Sequence, residues 1–320
     1  MEKGVKDLFP AEMWPMFSGV LTQVPEISEI RLRAGEAVYA QAREQEYYVA
    51  KDGSFGVDRS LAHTLSKGEL LRMMEHLTKY SPYAYDTELR QGFLTMPGGH
   101  RVGLAGQGIV EGNGQIKGLK YISCMNIRIA RQVCDIALPL LPYLYAQSRI
   151  ENVLIASAPG CGKTTYLRDL IRQIAKGNSY GRGRSVGVVD ERMELSAMHM
   201  GEPCMNLGGR CDVLSGVGKR EGIMMLIRSM NPSVIAVDEI GSEEDMEALK
   251  KAYSCGIGLL STIHAKDLED LFCKDGFSDM LRDGIFTRLI FLKDESSSYG
   301  PKSVWAKSKR GGFECLKEWD

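Results

Sequence analysis

Val153-Leu154-Ile155-Ala156-Ser157-Ala158-Pro159-Gly160-Cys161-Gly162-Lys163-Thr164-Thr165 sets the architecture of the second half of the chain. Val153–Ala156 reads as a buried strand, and Thr164–Ala175 reads as a helix. Between them lies a glycine-rich turn ending in Lys-Thr-Thr, the context in which a phosphate loop works. Ala158, Pro159, Gly160, Cys161, Gly162, Lys163, Thr164 and Thr165 would cradle a nucleotide, ATP. Backbone N–H groups and the helix N-terminus favour the phosphates. Lys163 would reach the β/γ oxygens, the Thr164 hydroxyl would ligate Mg²⁺, and Thr165 could reach the α-phosphate. One position departs from GxxxxGK[ST]: Ser157 stands where the first Gly is expected. Without a ligand the same residues would be a plain strand–helix turn.

Working outward, three more segments end in polar residues. Val234–Val237 is an apolar strand leading into Asp238-Glu239, the pattern of a Walker B strand. Asp238 would hold Mg²⁺ directly or through water, and Glu239 would orient the attacking water. Val186–Val189 leads into Asp190-Glu191-Arg192. Asp190 and Glu191 could position water or metal, while the plainer reading is a cap with Arg192 as its ion-pair partner. Leu260–His264 ends a further strand, where His264 could sense a γ-phosphate. The other histidines, His63, His76, His100 and His199, show no partner pattern. Strands alternating with helices over this region, including helices at Gly222–Met230 and Asp245–Cys255, predict a mainly parallel sheet with its ligand beyond the carboxyl ends of the strands.

Phosphoryl transfer also needs positive charge near the transition state. Arg101, Arg128, Arg131, Arg210 and Arg228 are candidates for a finger, with Arg228 on the helix before the Walker B strand.

The whole-chain numbers frame this reading. At 320 residues the chain suggests two domains. Forty basic against forty-one acidic residues leave a net charge of −1, which argues against a phosphate-driven nucleic-acid binder. The basic run Lys302–Arg310 reads as solvated surface. Eight scattered cysteines without a CxxC pair fit free thiols in a reducing compartment and weaken a zinc site. The start, MEKGVKDLFPAEMW, lacks the apolar core of a signal peptide. Val133–Ser157, the most apolar region, is interrupted by Asp135, Pro139, Pro142, Arg149 and Glu151 and cannot span a bilayer as one helix.

The first part of the chain reads as α+β. Glu29–Arg33 alternates charged and apolar residues, and Glu46–Ala50 is strand-like. Ser66 with Glu69 forms a capping box ahead of a helix to Lys79 that presents Leu70, Leu71, Met74 and Leu77. Pro97-Gly98-Gly99 suggests a hairpin turn, and Gly112-Asn113-Gly114 a second. Ile127–Arg131 is a strand or a helix start. The expected division is an α+β domain over 1–140 and a P-loop ATPase domain over 141–320.

The phosphate loop GCGKTTYLRDLIR, the VVDER strand, Lys219–Pro232 and VDEIG resemble the stage III sporulation protein AA family. Glu29–Arg33, Gly98–Gly106 and Asn126–Arg131 are similar to that family too. The resemblance spans most of 27–265, and the family is related to the type II/type IV secretion ATPases. It implies an N-terminal domain ahead of a RecA-like domain, assembly as a hexameric ring, and ATP bound between domains and subunits. It further implies a cytoplasmic protein of the mother cell that energises a transenvelope channel through a membrane-embedded partner. By this resemblance Asp190–Arg192 matches the Asp box, Asp238–Glu239 the Walker B box and Thr262–His264 the His box. The catalytic set is then Lys163, Glu239, Glu191, His264 and Arg228. Two other classes remain open: a nucleic-acid-dependent P-loop motor or switch, and a small-molecule kinase. Roles for Asp267–Asp320 stay unassigned.

Overall fold

The computed structural model describes residues 4–110, 116–274, 276–293, 300–309 and 311–319. The turn signal at Gly112-Asn113-Gly114 lies outside them. The chain divides into two compact units, residues 1–131 with 197–204, and residues 132–196 with 205–320.

The first unit is an antiparallel sheet backed by helices. Its strands are β1 (Glu29–Arg33), β2 (Tyr39–Ala42), β3 (Gln45–Val49), β4 (Phe55–Gly56), β5 (Phe93–Thr95), β6 (Arg101–Val110) and β7 (Ile116–Arg128), in spatial order β4-β3-β2-β1-β7-β6-β5. The alternation read at Glu29–Arg33 becomes burial of Ile30 and Leu32, with Glu29, Arg31 and Arg33 on the other face. That buried face packs against α1 (Trp14–Gln23) and α2 (Lys67–Leu77) through Phe17, Val20, Leu70, Met73 and Leu77, and a short third helix, α3 (Asp86–Gln91), precedes β5. The Pro97–Gly99 turn joins β5 to β6, with Thr95 paired to Arg101. The segment at Ile127 continues β7 up to Arg128 and starts no helix. The segments Glu29–Arg33, Gly98–Gly106 and Asn126–Arg131, far apart in the chain, fall on the neighbouring strands β1, β6 and β7.

Helix α2 starts as expected and faces slightly differently. Ser66 and Glu69 form the reciprocal capping box. The buried stripe is Leu70, Met73 and Leu77, at the i, i+3, i+7 spacing of one helix face; Leu71 lies beside that stripe and is 59% exposed. Burial disfavours the Glu69 charge, yet bonds from the Ser66 N–H and hydroxyl and from His63 outweigh it and hold the carboxyl at about 2 against an ordinary 4.5. A carboxylate depressed in this way adds stability above its unfolded value and loses it as pH falls through the folded value. Glu69→Gln is therefore expected to lower stability by about 1 kcal/mol at neutral pH, the usual worth of a cap. In denaturant melts, that difference should shrink as pH falls from 4.5 toward 2.

The second unit is built on an eight-stranded sheet. Its elements are β8 (Val153–Ser157), α4 (Lys163–Lys176), β9 (Val186–Asp190), β10 (Cys211–Ser215), α5 (Lys219–Ser229), β11 (Val234–Val237), α6 (Glu243–Ser254), β12 (Gly258–His264), α7 (Leu268–Phe272), α8 (Phe277–Arg282), β13 (Arg288–Leu292), β14 (Pro301–Lys307) and β15 (Phe313–Glu318). The order is β10-β9-β11-β12-β8-β13-β14-β15. Pairings from β10 through β13 are parallel; β13–β14 and β14–β15 are antiparallel, so the sheet is mixed. Among the described residues no helix separates β13, β14 and β15, and strands that follow one another without a crossover helix pair antiparallel. Strands β8, β9 and β11 are buried along their whole length, which explains their unbroken apolar runs. Residues 137–144 contribute Ala137, Leu140, Leu141 and Leu144 to this unit's core. Residues 302–307 of the basic run lie within β14. All eight cysteines carry free thiols. Among the described residues no helix is long and apolar enough to cross a membrane.

Candidate active site

Strands β8, β9, β11 and β12 are parallel neighbours, so their carboxyl ends reach one rim. Gly160 and Gly162 lie in the left-handed region, at φ 81° and 90°, which side chains other than glycine rarely adopt. The space a Cβ would fill at either position is open, the room that phosphate oxygens need. Gly162 is the N-cap of α4 and offers no side-chain cap to the helix's first N–H groups. The loop therefore presents the backbone donors and helix terminus of an anion cradle. Ala158, Pro159 and Cys161 complete it, with Thr164 and Thr165 in the first turn of α4.

Lys163 is 7% exposed and turned back over the loop. Its Nζ donates to the Ala158 carbonyl at 2.8 Å and the Ser157 carbonyl at 3.1 Å, and meets His264 Nδ1 at 3.0 Å. Ser157, the departure from the glycine pattern, thus lies under the lysine, with its Oγ 3.4 Å from Nζ.

The Thr164 hydroxyl donates to Asp238 Oδ2 at 2.6 Å, joining the phosphate-loop helix to the end of β11. Thr262 on β12 donates to Asp238 Oδ1 at 2.5 Å and accepts from the Glu239 N–H at 2.7 Å. One threonine thus orients both acids. A hydroxyl beside a carboxylate oxygen is a hard-oxygen pair that suits Mg²⁺, which keeps few protein ligands and fills its shell with water and phosphate.

Glu239 occupies a left-handed conformation at φ 54°, costly for a side-chain-bearing residue and held by its surroundings. Its Oε1 is 2.7 Å from His264 Nε2, and its Oε2 is paired with the Arg192 guanidinium. Burial disfavours its charge; the His264 hydrogen bond and the Arg192 charge, with Lys219 adding to them, outweigh burial and hold the carboxyl below its ordinary value. Lys163, His264, Glu239 and Arg192 therefore form one continuous line of contacts.

The acids after β9 behave differently. Asp190 is buried, and its carboxylate accepts from the backbone N–H groups of Glu194, Leu195 and Ser196 and from the Ser196 hydroxyl. It is fully engaged in shaping the 191–196 turn and has no capacity left for water or metal. Arg168 on α4 clamps the same turn through the carbonyls of Glu194 and Leu195. Glu191 is held by Lys219 at 2.5 Å and stands outside the Lys163–Arg192 line. Arg192, expected to pair with the acids beside it, pairs instead with Glu239.

Arg228 does not join the cluster of its own chain. It is exposed in the last turn of α5, whereas Lys219 at the first turn reaches the rim. At 1.5 Å per residue the two ends lie about 14 Å apart. Arg101 covers the Phe93 ring and Arg131 donates to the Ile27 carbonyl, both within the first unit. Arg210 donates to the Ala175 carbonyl. Lys219 and the rim role of Arg192 had no signal in the motif spacing.

A family model described as Sporulation stage III, protein AA matches residues 3–310. Stage III sporulation protein AA of Bacillus subtilis (strain 168) is 40% identical over 300 residues, covering 92% of each chain. Among solved structures, the ATPase DotB of Yersinia pseudotuberculosis matches with a TM-score of 0.57 at 13% identity, over 98% of this chain and 80% of its own. The pilus retraction motor PilT, solved with bound ADP, matches with a TM-score of 0.51 at 13% identity, over 94% and 82%. Both likenesses are of fold, an α/β architecture carrying a phosphate loop.

Proposed function

The chain belongs to the sporulation stage III, protein AA family, and from that premise we propose that it is a Mg²⁺-dependent ATPase with a RecA-like second domain, a motor of the secretion type. The single observation that carries the reading is the 2.6 Å bond from the Thr164 hydroxyl to Asp238. It brings the phosphate-loop hydroxyl and a strand-end carboxylate to one point, as a shared metal requires.

In this reading the loop 158–165 binds the phosphates through its N–H groups. Lys163 leaves the Ala158 and Ser157 carbonyls and neutralises the β/γ oxygens. Thr164 and Asp238 would hold Mg²⁺, which when bound would offset phosphate charge as a Lewis acid. Glu239 accepts a proton from the attacking water at its carboxylate, and His264 orients that carboxylate. Glu191 remains a second acid for positioning water at the same rim. Arg228, exposed, is a candidate to serve a neighbouring subunit.

Residues 1–140 are proposed to make subunit contacts, and 141–320 to form the ATPase domain. The assembly is a homo-oligomer, a hexameric ring, in the cytoplasm of the mother cell. It energises a transenvelope channel during sporulation by docking to a membrane-embedded partner. ATP contacts made and lost across a cleft would supply the motion.

Phosphate release combined with sedimentation tests the reading. We expect release to water that requires Mg²⁺ and no added acceptor, and an oligomer whose population rises with ATP. Transfer only to an added metabolite would make the protein a kinase. Stimulation by DNA with a steep salt dependence would make it a nucleic-acid motor. A monomer in every nucleotide state would remove the ring.

A further inference from the structure

We propose that Arg192 is the γ-phosphate-sensing residue of this site: it holds Glu239 while no γ-phosphate is present and exchanges that carboxylate for γ-phosphate oxygens when ATP binds. The inference rests on the ATPase reading and gives a role to Arg192, which the resemblance places at the end of the Asp box without one.

Position comes first. Arg192 reaches the rim from the end of β9 and closes on Glu239 Oε2, the oxygen not taken by His264. His264 touches both Glu239 and Lys163, so one carboxylate and one imidazole separate Arg192 from the phosphate-loop lysine. A γ-phosphate seated at Lys163 therefore arrives within reach of a long guanidinium side chain.

Mobility comes next. The Arg192 side chain is 63% exposed, whereas Lys219 at the same rim is 13% exposed and fixed between Glu191 and Asp245. An ion pair this open to solvent contributes little stability and exchanges readily. Arg192 also lines a cleft of about 810 Å³ together with Lys219, Glu239 and His264, which leaves the side chain room to turn.

Chemistry completes the argument. A guanidinium matches phosphate with two parallel N–H donors, and an ammonium cannot. While Arg192 is bound to Glu239, it occupies the oxygen that would take a proton from water. Transfer of the guanidinium to the γ-phosphate frees that oxygen and places positive charge where negative charge develops. ADP brings no γ-phosphate, so it leaves Arg192 on Glu239. The exchange ties the readiness of the base to the presence of ATP.

The test is equilibrium binding of AMP-PNP and of ADP, each with Mg²⁺, to the full chain, its Arg192→Ala and Arg192→Lys variants, and Lys163→Ala. A hydrogen bond to a charged group is worth about 1.5–3 kcal/mol, so Arg192→Ala should weaken AMP-PNP about 10- to 100-fold. ADP affinity should stay within about twofold, and Arg192→Lys should recover part of the loss, since it keeps charge without the planar fork. Equal loss for both nucleotides, or none for AMP-PNP, overturns the proposal. Circular dichroism melts show whether the alanine variant folds; if it does not, the lysine variant alone carries the comparison. A wild-type chain that binds neither nucleotide overturns the ATPase reading itself. A wild-type chain that binds both, with no selective loss in the Arg192 variants, overturns only the role of Arg192.

Discussion

Lys163→Ala is expected to reduce ATP turnover by at least about 100-fold, the scale seen when one preorganised donor to developing charge is removed. The effect should fall on nucleotide binding and on the chemical step together, because the ammonium serves the β/γ oxygens in both. In the structure Lys163 spends its donors on the Ala158 and Ser157 carbonyls and on His264. Alanine leaves these acceptors facing the loop, where water can replace the lysine, so the stability loss should stay within about 1–3 kcal/mol. Phosphate release by a folded Lys163→Ala protein, with folding confirmed by circular dichroism, is the measurement. Normal turnover would remove the phosphate-loop assignment.

The second large effect is expected from Glu239→Gln. Gln keeps the size of the side chain and its hydrogen bond to His264 but cannot take a proton. A general base contributes about 10²- to 10⁴-fold, so turnover should fall by that factor while ATP binding survives. The carboxylate also binds Arg192, and its loss releases the guanidinium, so nucleotide should be retained more tightly than in the wild type. Retention of radiolabelled ATP on rapid filtration, with sedimentation of the same sample, reads both consequences. We expect trapped ATP and a larger oligomer fraction. Rapid hydrolysis by this variant would move the base to another acid, and Glu191 would be the first candidate.

These two residues differ in how they could be found. Lys163 is announced by its neighbours in sequence: an apolar run, two glycines that must turn, and a helix starting at once. That chemistry is local. The same holds for the Ser66–Glu69 capping box, the Pro97–Gly99 hairpin and the alternation at Glu29–Arg33, all of which the structure contains. The alternation of strands and helices from residue 153 was equally legible, because each period is set over a few residues.

Partnerships between side chains were legible only where a motif pairs them, as in the Ser66–Glu69 box and the Mg²⁺ assigned to Thr164 and Asp238 together. Asp190, Glu191 and Arg192 adjoin in sequence, yet one is consumed by the turn after it, one is taken by Lys219 and one crosses to Glu239. Thr164 and Asp238 lie 74 residues apart and meet only because β11, β12 and β8 are consecutive in the sheet. Strand order is a property of the whole packed sheet, and no window of residues contains it. The mixed edge is of the same kind: the basic run Lys302–Arg310 reads as solvated surface, and it is pairing with β13 that makes residues 302–307 part of β14. Periodicity and turn chemistry thus specified the phosphate loop and the strands and helices read around it along the chain. Packing of the sheet chose which charges face each other, because electrostatic pairing acts through space and is indifferent to sequence distance.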